Sequence, residues 1–144
     1  MKQGFTLIEL VISLALVVIL STVGVLGLVS FRSSQSLRLA GQNLVVFVRD
    51  AQQKSISREG GAEWGVRFTH IAGGRDSYQL ITGPAFNPAG SVVALPSAIE
   101  FVSSYGDLTF DKSGLPTGPS SLIIRLTGNP AMLRTVTINA QGII

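Results

Sequence analysis

Cysteine is absent from this 144-residue sequence, which removes disulfides, thiolate metal sites and a catalytic thiol at once. A single histidine, His70, excludes a multi-histidine metal site within one chain. Charged residues are scarce at 13%, about half the usual share. With a mean hydropathy of +0.45 the chain is too apolar and too weakly charged to be disordered. The net charge of +3 is mildly basic and does not by itself point to nucleic acid. The length suits one ordinary domain.

The apolar content is concentrated near one end. Residues 10–31 carry no charge, and as a helix they would span roughly 33 Å, close to the ~30 Å hydrocarbon core of a bilayer. The run therefore reads as a transmembrane helix, with Lys2 before it and Arg32 after it. A secretory signal peptide would have a shorter apolar stretch and a small-residue cleavage site after it, which this sequence lacks. A plain signal anchor fits the length. Neither accounts for Glu9, an acid set in the stretch FTLIELVISL. Intramembrane acids are costly and are normally paired, yet no Lys, Arg or His lies between Phe5 and Phe31. The partner must come from elsewhere, and a free amino terminus generated just upstream, on this chain or a neighbour, would serve.

The residues Gly4-Phe5-Thr6-Leu7-Ile8-Glu9, followed by the apolar run, resemble the cleavage and methylation motif of type IV prepilins and of the pseudopilins of type II secretion. The resemblance implies a leader at residues 1–4 and cleavage by prepilin peptidase between Gly4 and Phe5. It implies methylation of the new amino terminus at Phe5, and pairing of Glu9 with the amino terminus of a neighbouring subunit. Residues 5–31 would then be the membrane and assembly helix, and residues 32–144 an extracytoplasmic pilin-like domain. The protein would be a single-pass inner-membrane subunit, amino terminus inward, that meets other pilin or pseudopilin subunits, prepilin peptidase, membrane lipid and assembly-platform proteins. Physically, a carboxylate and an ammonium in low dielectric attract strongly while each alone is costly to bury, so Glu9 reads as a recruitment device. One departure from the major pilins is the missing proline in the second half of the run, where Gly24 and Gly27 stand.

Beyond Phe31 the pattern becomes amphipathic. Leu37, Ala40, Leu44, Phe47, Val48 and Ala51 fall on one helical face, which should pack on a globular body. Leu39, Val45 and Val46 lie off that stripe, either as a broadened buried face or as contacts to neighbouring helices. Gly41 costs this helix about 1 kcal/mol against alanine. The helix should end near Arg58-Glu59, before Gly60-Gly61, giving an amphipathic helix over 32–59 and a β-rich part over 60–144. Counted from Phe5, an unbroken helix would run roughly 80 Å. Strands are expected at 63–70, 77–82, 92–95, 99–102, 108–110, 122–127 and 133–138, separated by Gly and Pro. The fold class is α+β, a long N-terminal helix whose stripe covers one face of a small antiparallel sheet.

Two later segments narrow the resemblance. Residues 108–116, LTFDKSGLP, are similar to the phenylalanine-to-glycine turn of the H-type pseudopilins. Residues 134–143, RTVTINAQGI, resemble the terminal strand and glycine of that group, which includes the FimT-like minor pilins. A structural subunit of a secretion pseudopilus or type IV pilus, part of a tip or priming complex and not an enzyme, is the expectation. The alternative is a FimT-like minor pilin that binds DNA for natural transformation, with Arg125 and Arg134 as the candidate contacts. Those arginines are isolated, and no basic residue follows Arg134, whereas phosphate binding wants converging cations. No cofactor or metal is expected. His70 lies in an alternating strand with no nucleophile elbow nearby. Asp107 and Asp111 are expected as turn caps in preference to cation ligands. Gly73-Gly74-Arg75 precedes a strand, so it is no phosphate loop.

Overall fold

The computed structural model of the chain describes residues 6–139 and 142–143, with the side chains of 23–27 and 142–143 excepted. Two compact units divide between Ser34 and Gln35. One helix, α1 (Leu7–Ile56), occupies most of the first unit and enters the second.

In the second unit the helical stripe predicted from spacing is the core. Leu37, Ala40, Leu44, Val48 and Ala51 are buried, and Phe47 is half-buried with its ring edge-on to Tyr78. The stripe continues one step further to Ser55, which is fully buried. Its hydroxyl donates to the Phe110 carbonyl at 2.7 Å and accepts the Trp64 amide at 3.2 Å. Removing both bonds in Ser55→Ala leaves the Phe110 carbonyl and the half-buried Trp64 amide without this partner, so unfolding stability should fall by about 1–3 kcal/mol. A urea midpoint unchanged from wild type would contradict this.

Among the described residues nine strands follow: β1 (Trp64–Thr69), β2 (Ser77–Thr82), β3 (Asn87–Ala94), β4 (Ile99–Phe101), β5 (Leu108–Phe110), β6 (Pro116–Thr117), β7 (Ser121–Leu126), β8 (Asn129–Asn139) and β9 (Gly142–Ile143). The fold is α+β and antiparallel throughout, as the pattern required, but the single expected sheet is two. One has the order β3-β2-β1-β5-β6 and the other β4-β7-β8-β9. Helix residues, β1, β4, β5, β7 and β8 all contribute to one core cluster, with Phe68, Phe101 and Tyr105 stacked edge to face. The expected strands 92–95 and 133–138 extend back to Asn87 and Asn129, over Pro88 and Pro130. Pro88 is tolerated because β3 is a sheet edge, where a missing amide donor breaks no ladder.

The end of α1 is held by several side chains. The helix stops at Ile56, two residues before the expected end, and Arg58 adopts a left-handed conformation at φ 51°. Lys54 bonds Glu59 at 2.9 Å and lies over the Trp64 ring, whose indole N–H donates to the Glu59 carbonyl. The Lys54 ammonium is held above its ordinary pKa by the Glu59 bond. The 108–116 turn docks here too. Gln52 donates to the Gly114 carbonyl at 2.8 Å, and Gly114, at φ 78°, lies against Ile56 so closely that a Cβ would sit 2.7 Å from its Cδ1. Its left-handed backbone is what favours glycine at 114.

Candidate assembly site

The helix begins where its cap chemistry says it should. Thr6 precedes α1, and its hydroxyl oxygen accepts the Glu9 amide at 3.4 Å while its O–H reaches the Glu9 carboxylate at 3.5 Å. Thr6-Leu7-Ile8-Glu9 thus has the Thr-x-x-Glu form of a capping box. The acid sits in the first turn, where the helix dipole favours negative charge. No cation lies between Phe5 and Phe31, and the local partner that the structure gives Glu9 is the Thr6 hydroxyl. The three-residue spacing from Thr6 to Glu9 is the signal for that contact.

Around this acid the helix is apolar on every described face. Leu7, Ile8, Leu10, Val11, Ile12, Leu14 and the large apolar residues onward to Leu20 are all more than half exposed. The hydroxyls of Ser13, Ser21 and Thr22 turn back onto the carbonyls of Glu9, Val17 and Ile19 at 2.7–2.8 Å. Their polarity is absorbed within the helix, which suits a lipid or helix-packed environment. Among the described residues, no helix is long and apolar enough to cross a membrane. The span expected at 10–31 includes 23–27, whose side chains lie outside the described residues. Gly4 and Phe5, the expected cleavage and methylation positions, also lie outside them.

The other candidates are occupied by structural work. Arg125 faces Glu100 across β4 and β7, with Nε 2.7 Å from the carboxylate. Arg134 pairs with Ile124, and Arg125 with Leu133, one step apart in the register. Side chains alternate along strands, so the two arginines point to opposite faces of their sheet and do not converge on one phosphate. The Arg134 stem lies over Gly41, where a Cβ would come 2.5 Å from Arg134 Cδ. Gly41, costly for the helix, makes room for that stem.

Asp107 binds the Arg67 guanidinium through two bonds, at 2.9 and 2.6 Å, which hold Arg67 above its ordinary pKa. Asp111 accepts the amides of Ser113 and Leu115, both at 2.8 Å, so it caps the turn as its type and place imply. His70 pairs with Asp76, which nothing in the sequence pattern marks out. Asp76 is 1% exposed and accepts the Ile71 amide at 2.9 Å, the Phe101 amide at 2.6 Å and the His70 Nδ1 at 2.9 Å. Its own carbonyl accepts the Leu95 amide. Burial pushes the Asp76 carboxyl up, but the His70 ring and the two amides outweigh burial and hold it below its ordinary value.

Residues 1–25 match the protein family described as the prokaryotic N-terminal methylation motif. That match supports a pilin or pseudopilin that is processed by prepilin peptidase, assembles with other pilin subunits and has a membrane-anchored N-terminus. No curated protein and no solved structure matches the chain.

Proposed function

We propose that the chain is a minor structural subunit of a pilin-like filament, more specifically of a type II secretion pseudopilus, where it supports protein secretion. It is the substrate of a processing peptidase and not itself an enzyme. Its second unit lies outside the cytoplasm, and the assembly platform lifts it from the inner membrane into the tip or priming complex. One observation carries this reading: Glu9 stands in the first turn of α1, beside the Thr6 hydroxyl, in a stretch from Phe5 to Phe31 that holds no Lys, Arg or His. The cation that best satisfies it is an amino terminus freed at Phe5 of another subunit. Resemblance of residues 108–116 and 134–143 to the H-type group favours the secretion pseudopilus over the type IV pilus.

Fractionation tests the proposal. In cells with a working secretion assembly platform, the tagged chain should be recovered with sheared filaments, and without the platform it should remain in the membrane fraction. Equal distribution in both strains would contradict the reading.

A further inference from the structure

Sheet edges carry unpaired amides and carbonyls, and proteins blunt them with proline, bulges or short strands. In the sheet β3-β2-β1-β5-β6, the edge strand β6 is 2 residues long and opens on Pro116. At the other edge, β3 carries Pro88, which has no amide to donate, and Gly90 at φ 80°, beside a register shift against β2. In the sheet β4-β7-β8-β9, the edge strand β4 is 3 residues long. Strand β8 differs. It has 11 residues, and β9 covers only Ile138 and Asn139. Among the described residues, no strand pairs with residues 133–137 on the side away from β7. The β7–β8 register shifts beyond Arg125, whose partner is Leu133, so the regular part of this edge begins at Leu133.

Backbone direction follows from one bond. The Ile138 amide donates to the Ser120 carbonyl at 2.9 Å, on the β7 side. Alternate residues of a strand turn their backbone groups to the same edge, so Arg134 and Val136 share that direction. Leu133, Thr135 and Thr137 turn their amides and carbonyls to the open edge. Their side chains are exposed, Leu133 at 56%. On the opposite face Val136 is buried, and the Arg134 stem crosses Gly41. Arg134 is exposed, and among the described residues no ion pair reaches its guanidinium.

Charge decides between occupants. A second copy pairing antiparallel about a two-fold, with buried faces aligned, would centre on Arg134 or on Thr135. The first register sets Arg134 opposite its own copy, and the second makes the two arginines diagonal neighbours. Like charges so placed repel. A strand with a carboxylate opposite Arg134 reverses that sign, and β-branched side chains suit the positions beside Leu133, Thr135 and Thr137.

We infer that residues 133–137 of β8 are a docking edge for an extended segment of a partner protein, which pairs antiparallel and sets a carboxylate beside Arg134. Main-chain bonds supply the affinity and the acid supplies the selectivity. This surface goes beyond the filament reading and does not depend on it.

Fluorescence anisotropy of the full chain in detergent tests the edge with the labelled peptide Thr-Val-Thr-Glu-Val. In antiparallel register its Glu faces Arg134 and its central Thr exchanges bonds with Thr135. Saturable binding is expected. N-methylation of the central Thr, which leaves the protein untouched and removes one donor, should weaken binding about tenfold. Lys in place of Glu should also weaken it about tenfold. Arg134→Glu should invert the preference, and its binding of the Lys peptide shows in the same measurement that the edge is intact. No saturable binding, equal binding of the N-methylated peptide, or an unchanged preference in Arg134→Glu would overturn the inference. A concentration-dependent dimer of the full chain that the peptide dissociates would overturn the partner assignment in favour of a second copy.

Discussion

Asp76→Ala is expected to lower the unfolding stability of the second unit by about 3 kcal/mol. The carboxylate is almost fully buried and holds three donors from two segments: His70 and Ile71 from the β1–β2 connection, and Phe101 from β4. It is thus a bridge between one sheet and the other. Alanine leaves the Ile71 and Phe101 amides without an acceptor, and each such loss costs about 1–3 kcal/mol. Against a typical total of about 5–15 kcal/mol, this is a large fraction. Trp64, the single tryptophan, sits where helix and sheet meet and reports unfolding in urea. A midpoint shift too small to resolve would show that the bridge is replaceable.

The same carboxylate fixes a pH dependence. Its folded pKa lies below the ordinary value of 3.8. Its contribution is therefore complete above about pH 4 and lost as the pH falls through the lowered folded value. Stability plotted against pH should drop on that acid side in the wild type. In Asp76→Asn the curve should start lower and show a shallower acid limb. Identical acid limbs would remove Asp76 from the account.

Glu9→Ala is expected to reduce incorporation into filaments by about a hundredfold or more, with insertion in the membrane fraction unchanged. Breaking a buried ion pair by deleting one partner costs about 3–5 kcal/mol, and each 1.4 kcal/mol is a factor of ten. Losing a first-turn acid costs the helix itself only about 0.3–1 kcal/mol, too little to unfold it. Glu9→Gln separates the two roles. Glutamine satisfies a capping box as glutamate does, so it keeps the bond with Thr6, but it carries no charge. The filament reading requires Glu9→Gln to fail as Glu9→Ala fails. Normal assembly of Glu9→Gln would reduce Glu9 to a helix cap.

Local pattern carried much of this architecture. The stripe from Leu37 to Ala51 follows from 3.6-residue periodicity, and 77–82 and 108–110 follow from short β-rich runs bounded by turn residues. The division into two sheets was not legible, because strand partners are chosen by non-local contacts. Asp76 was not legible for the same reason. An aspartate beside Arg75 after two glycines looks like a turn residue, and its second amide donor, Phe101, is 25 positions away. The true ends of β3 and β8 were hidden by Pro88 and Pro130, which argue against strand until the edge position of β3 and the hairpin-end position of Pro130 are known. Gly41 read as a defect in a helix because Arg134, the side chain that needs the space, lies in the last long strand. At the candidate assembly site the N-terminal motif was legible by resemblance. The Thr6 cap stands three residues before Glu9 and is part of the same motif.

The central claim is that the chain is trimmed at Gly4 and that its new end then answers the acid of a neighbour. Intact-mass measurement of the protein from cells with an active prepilin peptidase tests this most directly. The account predicts loss of residues 1–4 and gain of one methyl group on Phe5. A chain that retains its first four residues would contradict it.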